Sequence, residues 1–155
     1  MIKFLKSANC LLFVFIIFIF ISNINAGNFN SNSRRSSFNF DWRFHLGDVI
    51  AAENPEFNDS DWRSLNVPHD WSIEGEFSSQ NASGTGYLPG GIGWYRKDFI
   101  LPETDKEKHI EIQFDAVYDN SEVWINGHFL GKRPYGFISF CYDLTPYLNF
   151  GNKKN

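Results

Sequence analysis

Apolar residues in this chain come in short alternating runs broken by glycine, proline or asparagine, a pattern that suits half-buried β-strands and little else. Phe40, Trp42 and Phe44 alternate with Asp41 and Arg43. Trp94 and Arg96 interleave with Tyr95 and Lys97, ahead of the apolar Phe99 to Leu101. Ile110, Ile112 and Phe114 alternate with Glu111 and Gln113, so the apolar set shares one face. Val123-Trp124-Ile125 runs into Asn126-Gly127 and then Phe129-Leu130. Asn-Gly between apolar runs signals a hairpin, because both residues tolerate the positive φ of a type I′ turn. Phe137 to Tyr142 predicts a further strand, ended by Thr145-Pro146. No segment keeps a helical period for three turns, so the fold class is all-β, a sandwich or barrel. Trp94, Trp124 and Phe114 lie on these strands and are expected in its core.

The two ends read differently. Lys3 and Lys6 precede an unbroken apolar run from Cys10 to Ile21, and Ser22 to Ala26 is a polar, small-ended exit. That is the form of a secretory signal peptide at 1–26, cleaved after Ala26. A membrane anchor would need roughly 20 apolar residues, so no membrane association is expected after cleavage. Cys10 leaves with the signal, and Cys141 alone cannot form an intramolecular disulfide. Loss of Lys3 and Lys6 also takes the formal charge of −4 two units further negative. A mildly acidic chain without a basic run offers no footprint for nucleic acid. Residues 27–37, rich in Asn and Ser, lack apolar periodicity and read as a flexible leader. Residues 38–155 suffice for one compact domain.

The stretch from Asn66 to Gly93 breaks the strand pattern. It holds Gly75, Gly84, Gly86, Pro89, Gly90 and Gly91, with few regularly placed apolar residues. A loop of this length inside a compact domain is usually functional or disordered, and Trp71, Phe77 and Tyr87 argue for a packed, functional one.

No catalytic apparatus is evident. Glu74 and Glu76, like Asp59 and Asp61, read as solvated charge in loops. His45, His69, His109 and His128 lack the close spacing of zinc ligands, and there is neither a nucleophile elbow nor a phosphate-binding glycine motif. No metal or cofactor is expected. Sugar recognition fits better, because saccharides are held by aromatic faces and a few planar polar groups. His69-Asp70-Trp71 supplies both kinds. Asp70 either bonds a sugar hydroxyl or caps a turn while Trp71 packs beneath the loop.

Four motifs carry a resemblance when taken together: Val67-Pro68-His69-Asp70-Trp71, Gly93-Trp94-Tyr95-Arg96-Lys97, Val123-Trp124-Ile125-Asn126-Gly127 and Arg133-Pro134-Tyr135-Gly136. In order and spacing they resemble the amino-terminal sugar-binding domain of glycoside hydrolase family 2, in its bacterial β-galactosidase-like branch. The resemblance covers about Phe38 to Asn149. It implies a jelly-roll, galactose-binding-like β-sandwich, here incomplete at its C-terminal end, with the catalytic barrel absent.

It further implies a place in a secreted or periplasmic retaining glycosidase acting on a β-galactoside-like carbohydrate. The rest of the parent enzyme would be its partner. β-Glucuronidases and β-mannosidases share the sandwich, and a free-standing carbohydrate-binding module is the alternative of another class. Retaining enzymes of this type use two facing carboxylates. The family's acid/base Glu follows an Asn, a dipeptide this chain lacks, so no catalytic residue is assigned and the chain alone is expected to be inactive. His69, Asp70 and Trp71 correspond to a loop over the galactose pocket. Tyr135 falls near a further sugar contact, where classic members carry an acid. Arg133 beside it is either a sugar contact or an ordinary ion-pair partner. Asp143 either matches an Asp placed close to substrate in related glycosidases or caps the following turn.

Overall fold

A computed structural model describes residues 34–155. The expected signal peptide and residues 27–33 of the leader lie outside the described residues. Arg34 to Ser37 are exposed and carry no helix or strand, and Phe38–Asn155 forms one unit.

Seven strands build that unit: β1 Trp42–Leu46, β2 Arg63–Leu65, β3 Gly93–Arg96, β4 Glu111–Phe114, β5 Ser121–Ile125, β6 His128–Arg133 and β7 Phe140–Asp143. Every pairing is antiparallel. They form a three-stranded sheet in the order β2-β1-β3 and two pairs, β4-β7 and β5-β6. Four single 3₁₀ turns complete the regular structure, and no α-helix occurs among the described residues. The chain is all-β and sandwich-like, as the alternation predicts.

The hairpin turns where its sequence says it should. Ile125 pairs with His128, and the two residues between them, Asn126 and Gly127, sit at φ 50° and 79°. Both are positive, as a type I′ turn requires. The Asn126 amide donates to the Tyr147 carbonyl at 2.7 Å and to Asn155 Oδ1 at 3.0 Å, which ties the turn to the chain that follows.

Packing between the sheets runs through aromatic stacks. Trp94 and Trp124 stack at 5.4 Å and bring the β5-β6 hairpin onto the three-stranded sheet. Gly131, with φ 152°, leaves room for Tyr142, since a Cβ there would meet the Tyr142 ring at 2.9 Å. That close approach packs β6 on β7. Phe114 stacks on Phe140 at 5.1 Å.

Three details depart from the sequence reading. Trp94, Trp124 and Phe114 are only half-buried, while the buried set is Phe44, Ala52, Trp62, Ile125, Phe140 and Leu144. Wide rings at sheet contacts keep one edge in solvent even when their faces are covered. The last strand starts at Phe140 rather than Phe137, and Phe137 and Ile138 are exposed. Gly136 is pressed against Tyr118, whose Cα would stand 2.7 Å from a Cβ at that position, so the chain is still turning there. Strand β2 was not anticipated: Arg-Ser-Leu has no alternation, and its place depends on pairing with β1.

Candidate functional site

The long loop after β2 lies on a floor that strand register builds. Phe44 on β1 stands opposite Arg63 on β2 and Tyr95 on β3, so the three side chains form one cross-strand row on one face. Phe44 is 6% exposed, with the Arg63 guanidinium 5.1 Å from its ring centroid. His45 and Trp94 point to the opposite face, toward Trp62 and Trp124 respectively.

His69 rests on this row, its ring 4.8 Å from Phe44 and edge-on. Nδ1 lies 2.8 Å from the Tyr95 hydroxyl. Nε2 has two neighbours, Arg63 Nη2 at 2.7 Å and Glu74 Oε1 at 3.1 Å. They make opposite demands. A guanidinium only donates, so the shorter contact needs a bare Nε2, whereas the carboxylate would need a protonated one. The geometry favours the first. Arg63 already donates to Glu74 from Nη1 at 2.9 Å and from Nη2 at 3.0 Å. On that assignment the second proton on Nη2 serves His69 Nε2, and the imidazole proton falls on Nδ1, toward the Tyr95 hydroxyl. Glu74 and His69 are therefore linked through Arg63, and their 3.1 Å approach is an ion pair only where the imidazole carries both protons.

Charges in the site follow from these contacts. The Arg63 hydrogen bonds hold the Glu74 carboxyl below its ordinary range. Burial, with the Asp70 charge as a smaller cause, pushes the Tyr95 phenol up to about 12.

Asp70 and Trp71 follow directly. Asp70 is exposed, and its Oδ1 accepts the Ser72 backbone N–H at 3.0 Å. Among the described residues its Oδ2 has no protein partner. Trp71 is half-buried against Gly93, whose missing side chain makes the space: a Cβ there would stand 2.9 Å from the indole Nε1. The loop is also tied to itself. Ser72 Oγ donates to the Pro89 carbonyl at 2.8 Å, and Gly75 is covered by the Pro89 ring. This loop is packed at its base and presents a carboxylate oxygen and part of an indole at its surface.

The remaining candidates stand elsewhere. Arg133, at the end of β6, lies over the Phe140 and Tyr142 rings at 5.6 and 5.8 Å. Tyr135 is exposed and edge-on to Phe137, which contacts Tyr118 in turn. Asp143 ends β7, where its Oδ1 accepts the Thr145 N–H at 2.9 Å and lies 3.6 Å from His109 Nδ1. Hydrogen bonding from Thr145 lowers the Asp143 carboxyl, while Glu111 and then Asp143 raise His109. Among the described residues no hydrogen bond, ion pair or ring contact joins these groups to the His69 loop. Nor are three His, Cys, Asp or Glu side chains placed there to hold a metal ion.

Sequence reasoning missed Arg63, Glu74 and Tyr95 as partners of His69. Tyr95 lay inside a recognised motif, but nothing local in Arg-Ser-Leu marks Arg63. Only the pairing of β2 with β1 brings it over Phe44.

Comparison with known proteins completes the description. Residues 36–155 match the family described as glycosyl hydrolases family 2, sugar binding domain. A β-galactosidase of Bacteroides ovatus is 62% identical over 122 residues, covering 77% of this chain and 14% of that protein. A β-glucuronidase of Formosa agariphila is 37% identical over 129 residues, 80% of this chain and 13% of its own length. The crystal structure of a β-glycosidase from Bacteroides vulgatus superposes with a TM-score of 0.70 at 57% identity, over 74% of this chain and 15% of that one. The chain thus spans about a seventh of the length of these relatives.

Proposed function

The chain belongs to glycosyl hydrolase family 2, as a sugar-binding domain of that family, and from this we propose that it forms one wall of the sugar pocket in an exported β-galactosidase-like enzyme. One observation carries the reading. The His69 ring is held by Phe44, the Tyr95 hydroxyl and Arg63, and beside it stands an exposed Asp70 whose Oδ2 has no protein partner among the described residues. An immobile acceptor beside an aromatic edge is what hydroxyl recognition asks of a pocket wall.

The whole enzyme would cleave a terminal β-linked sugar in two steps. One carboxylate forms a glycosyl-enzyme and the other serves as acid and then base, about 5 Å away. Both are placed on the barrel of the parent protein. In this scheme the domain orients the sugar and keeps water from one side of it, which is where positioning lowers the barrier. Export rests on the charged start and apolar run of residues 1–26. The β-galactoside preference rests on the motifs around Asp70 and Tyr135 and on the Bacteroides ovatus relative.

The test is to express the complete reading frame that carries this chain and assay nitrophenyl β-galactoside, β-glucuronide and β-mannoside, following the anomer released by NMR. Preferred turnover of the galactoside with retention is expected. Preference for the glucuronide would overturn the β-galactosidase assignment. Galactose binding without turnover would make the protein a binding module instead.

A further inference from the structure

We propose that Arg63 is the positioning residue of the recognition loop, fixing the His69 ring and, through it, where Asp70 and Trp71 stand. The proposal rests on the reading of Asp70 as a sugar contact. Among the described residues, Arg63 is the one side chain that touches the floor, the ring and the loop's own acid together. Its guanidinium lies over Phe44, grips Glu74 with two hydrogen bonds and spends its remaining Nη2 proton on His69 Nε2. Asp70 is the next residue along from that ring.

Magnitude argues for geometry over stability. Arg63 and Glu74 are 49% and 47% exposed, and an ion pair that open contributes little to folding. Its value lies in the planar fork, which matches the carboxylate edge and the imidazole nitrogen at once. An ammonium offers a point charge without that fork. With Arg63 removed, His69 Nε2 loses its nearer partner, and the segment that carries His69 and Asp70 loses its side-chain tie to β2. A loosened His69 then lets the backbone that carries Asp70 and Trp71 shift on its floor.

The experiment is a mutant cycle in the full-length protein, with kcat and KM on nitrophenyl β-galactoside and thermal unfolding measured for each variant. Arg63→Met is expected to lower kcat/KM about tenfold, as a small misplacement of a binding group does. Arg63→Lys should recover no more than about a third of that loss, because the fork is still missing. On an Asp70→Ala background, Arg63→Met should cost less than about twofold, since residues acting through one contact are not additive. A loss that multiplies in full with that of Asp70→Ala would overturn the proposal, as would no loss at all. If Arg63→Met does not fold, Arg63→Lys carries the same cycle. If Asp70→Ala alone leaves kcat/KM unchanged, the sugar-contact reading itself falls, and this proposal with it.

Discussion

The Trp71 indole nitrogen stands 2.9 Å from the point where a Cβ on Gly93 would lie, and its Cδ1 stands 3.2 Å away. Gly93 is in an ordinary strand on β3, so it is needed for space and not for backbone freedom. The methyl of Gly93→Ala would also meet Phe44 Cε2 at 3.1 Å. Overpacking of this kind costs about 1–3 kcal/mol. Gly93→Ala should therefore destabilise the domain by that amount in urea unfolding and shift the tryptophan emission. Unchanged stability would mean that Trp71 swings clear of the strand at no cost.

Tyr95 gives a pH signature. Its phenol is pushed up to about 12, chiefly by burial and then by the Asp70 charge, against an ordinary value of 10.0. A pKa raised on folding contributes stability that is fully present below the unfolded value and lost as pH rises through the folded one. The loss should fall between about pH 10 and 12. In a tyrosinate absorbance titration, one tyrosine should ionise well after the exposed ones, and Tyr95→Phe should remove that late step. A late step that survives the substitution would assign it to another tyrosine.

The Asn126-Gly127 turn should resist substitution at its second position. Gly127 sits at φ 79°, a region closed to β-branched residues, and a Cβ there would also approach Pro55 Cδ at 3.4 Å. Gly127→Val is expected to destabilise the domain by roughly 1 kcal/mol or more, measured by chemical denaturation. Gly127→Asn should be milder, because Asn tolerates positive φ. Equal effects from both would place the cost in the Pro55 contact instead of the backbone.

What could be read from the sequence depended on whether the signal was local. The hairpin was legible because Asn-Gly writes its own dihedral angles, and the strands around Trp42, Trp94 and Ile112 were legible because alternation fixes their faces. Strand β2 was not, since three residues without alternation become a strand only when β1 pairs with them. Phe137 and Ile138 misled for the opposite reason: their apolar character resembles a strand, but Gly136 against Tyr118 keeps the backbone turning. In the site, His69-Asp70-Trp71 stood out as a motif. The Arg63 contact with His69 Nε2 joins β2 to the loop that follows it, and nothing local in Arg-Ser-Leu announces it.

Asp70 allows the sharpest separation of two roles in one side chain. Its Oδ1 caps the turn at Ser72, while its Oδ2 has no protein partner among the described residues, so the proposed sugar contact would use a different atom from the cap. Asp70→Asn keeps an oxygen for the Ser72 N–H, because Asn forms the same turn, but it loses the charge. Asp70→Ala removes both. A hydrogen bond involving a charge is worth about 1.5–3 kcal/mol. In the full-length enzyme, Asp70→Ala should thus lower kcat/KM by roughly tenfold to a few hundredfold. Asp70→Asn should lose a large part of that activity while unfolding at the wild-type temperature. The opposite pattern, with Asn fully active and Ala both unstable and kinetically normal once folded, would leave Asp70 with the turn alone and move the sugar contact elsewhere in the pocket wall.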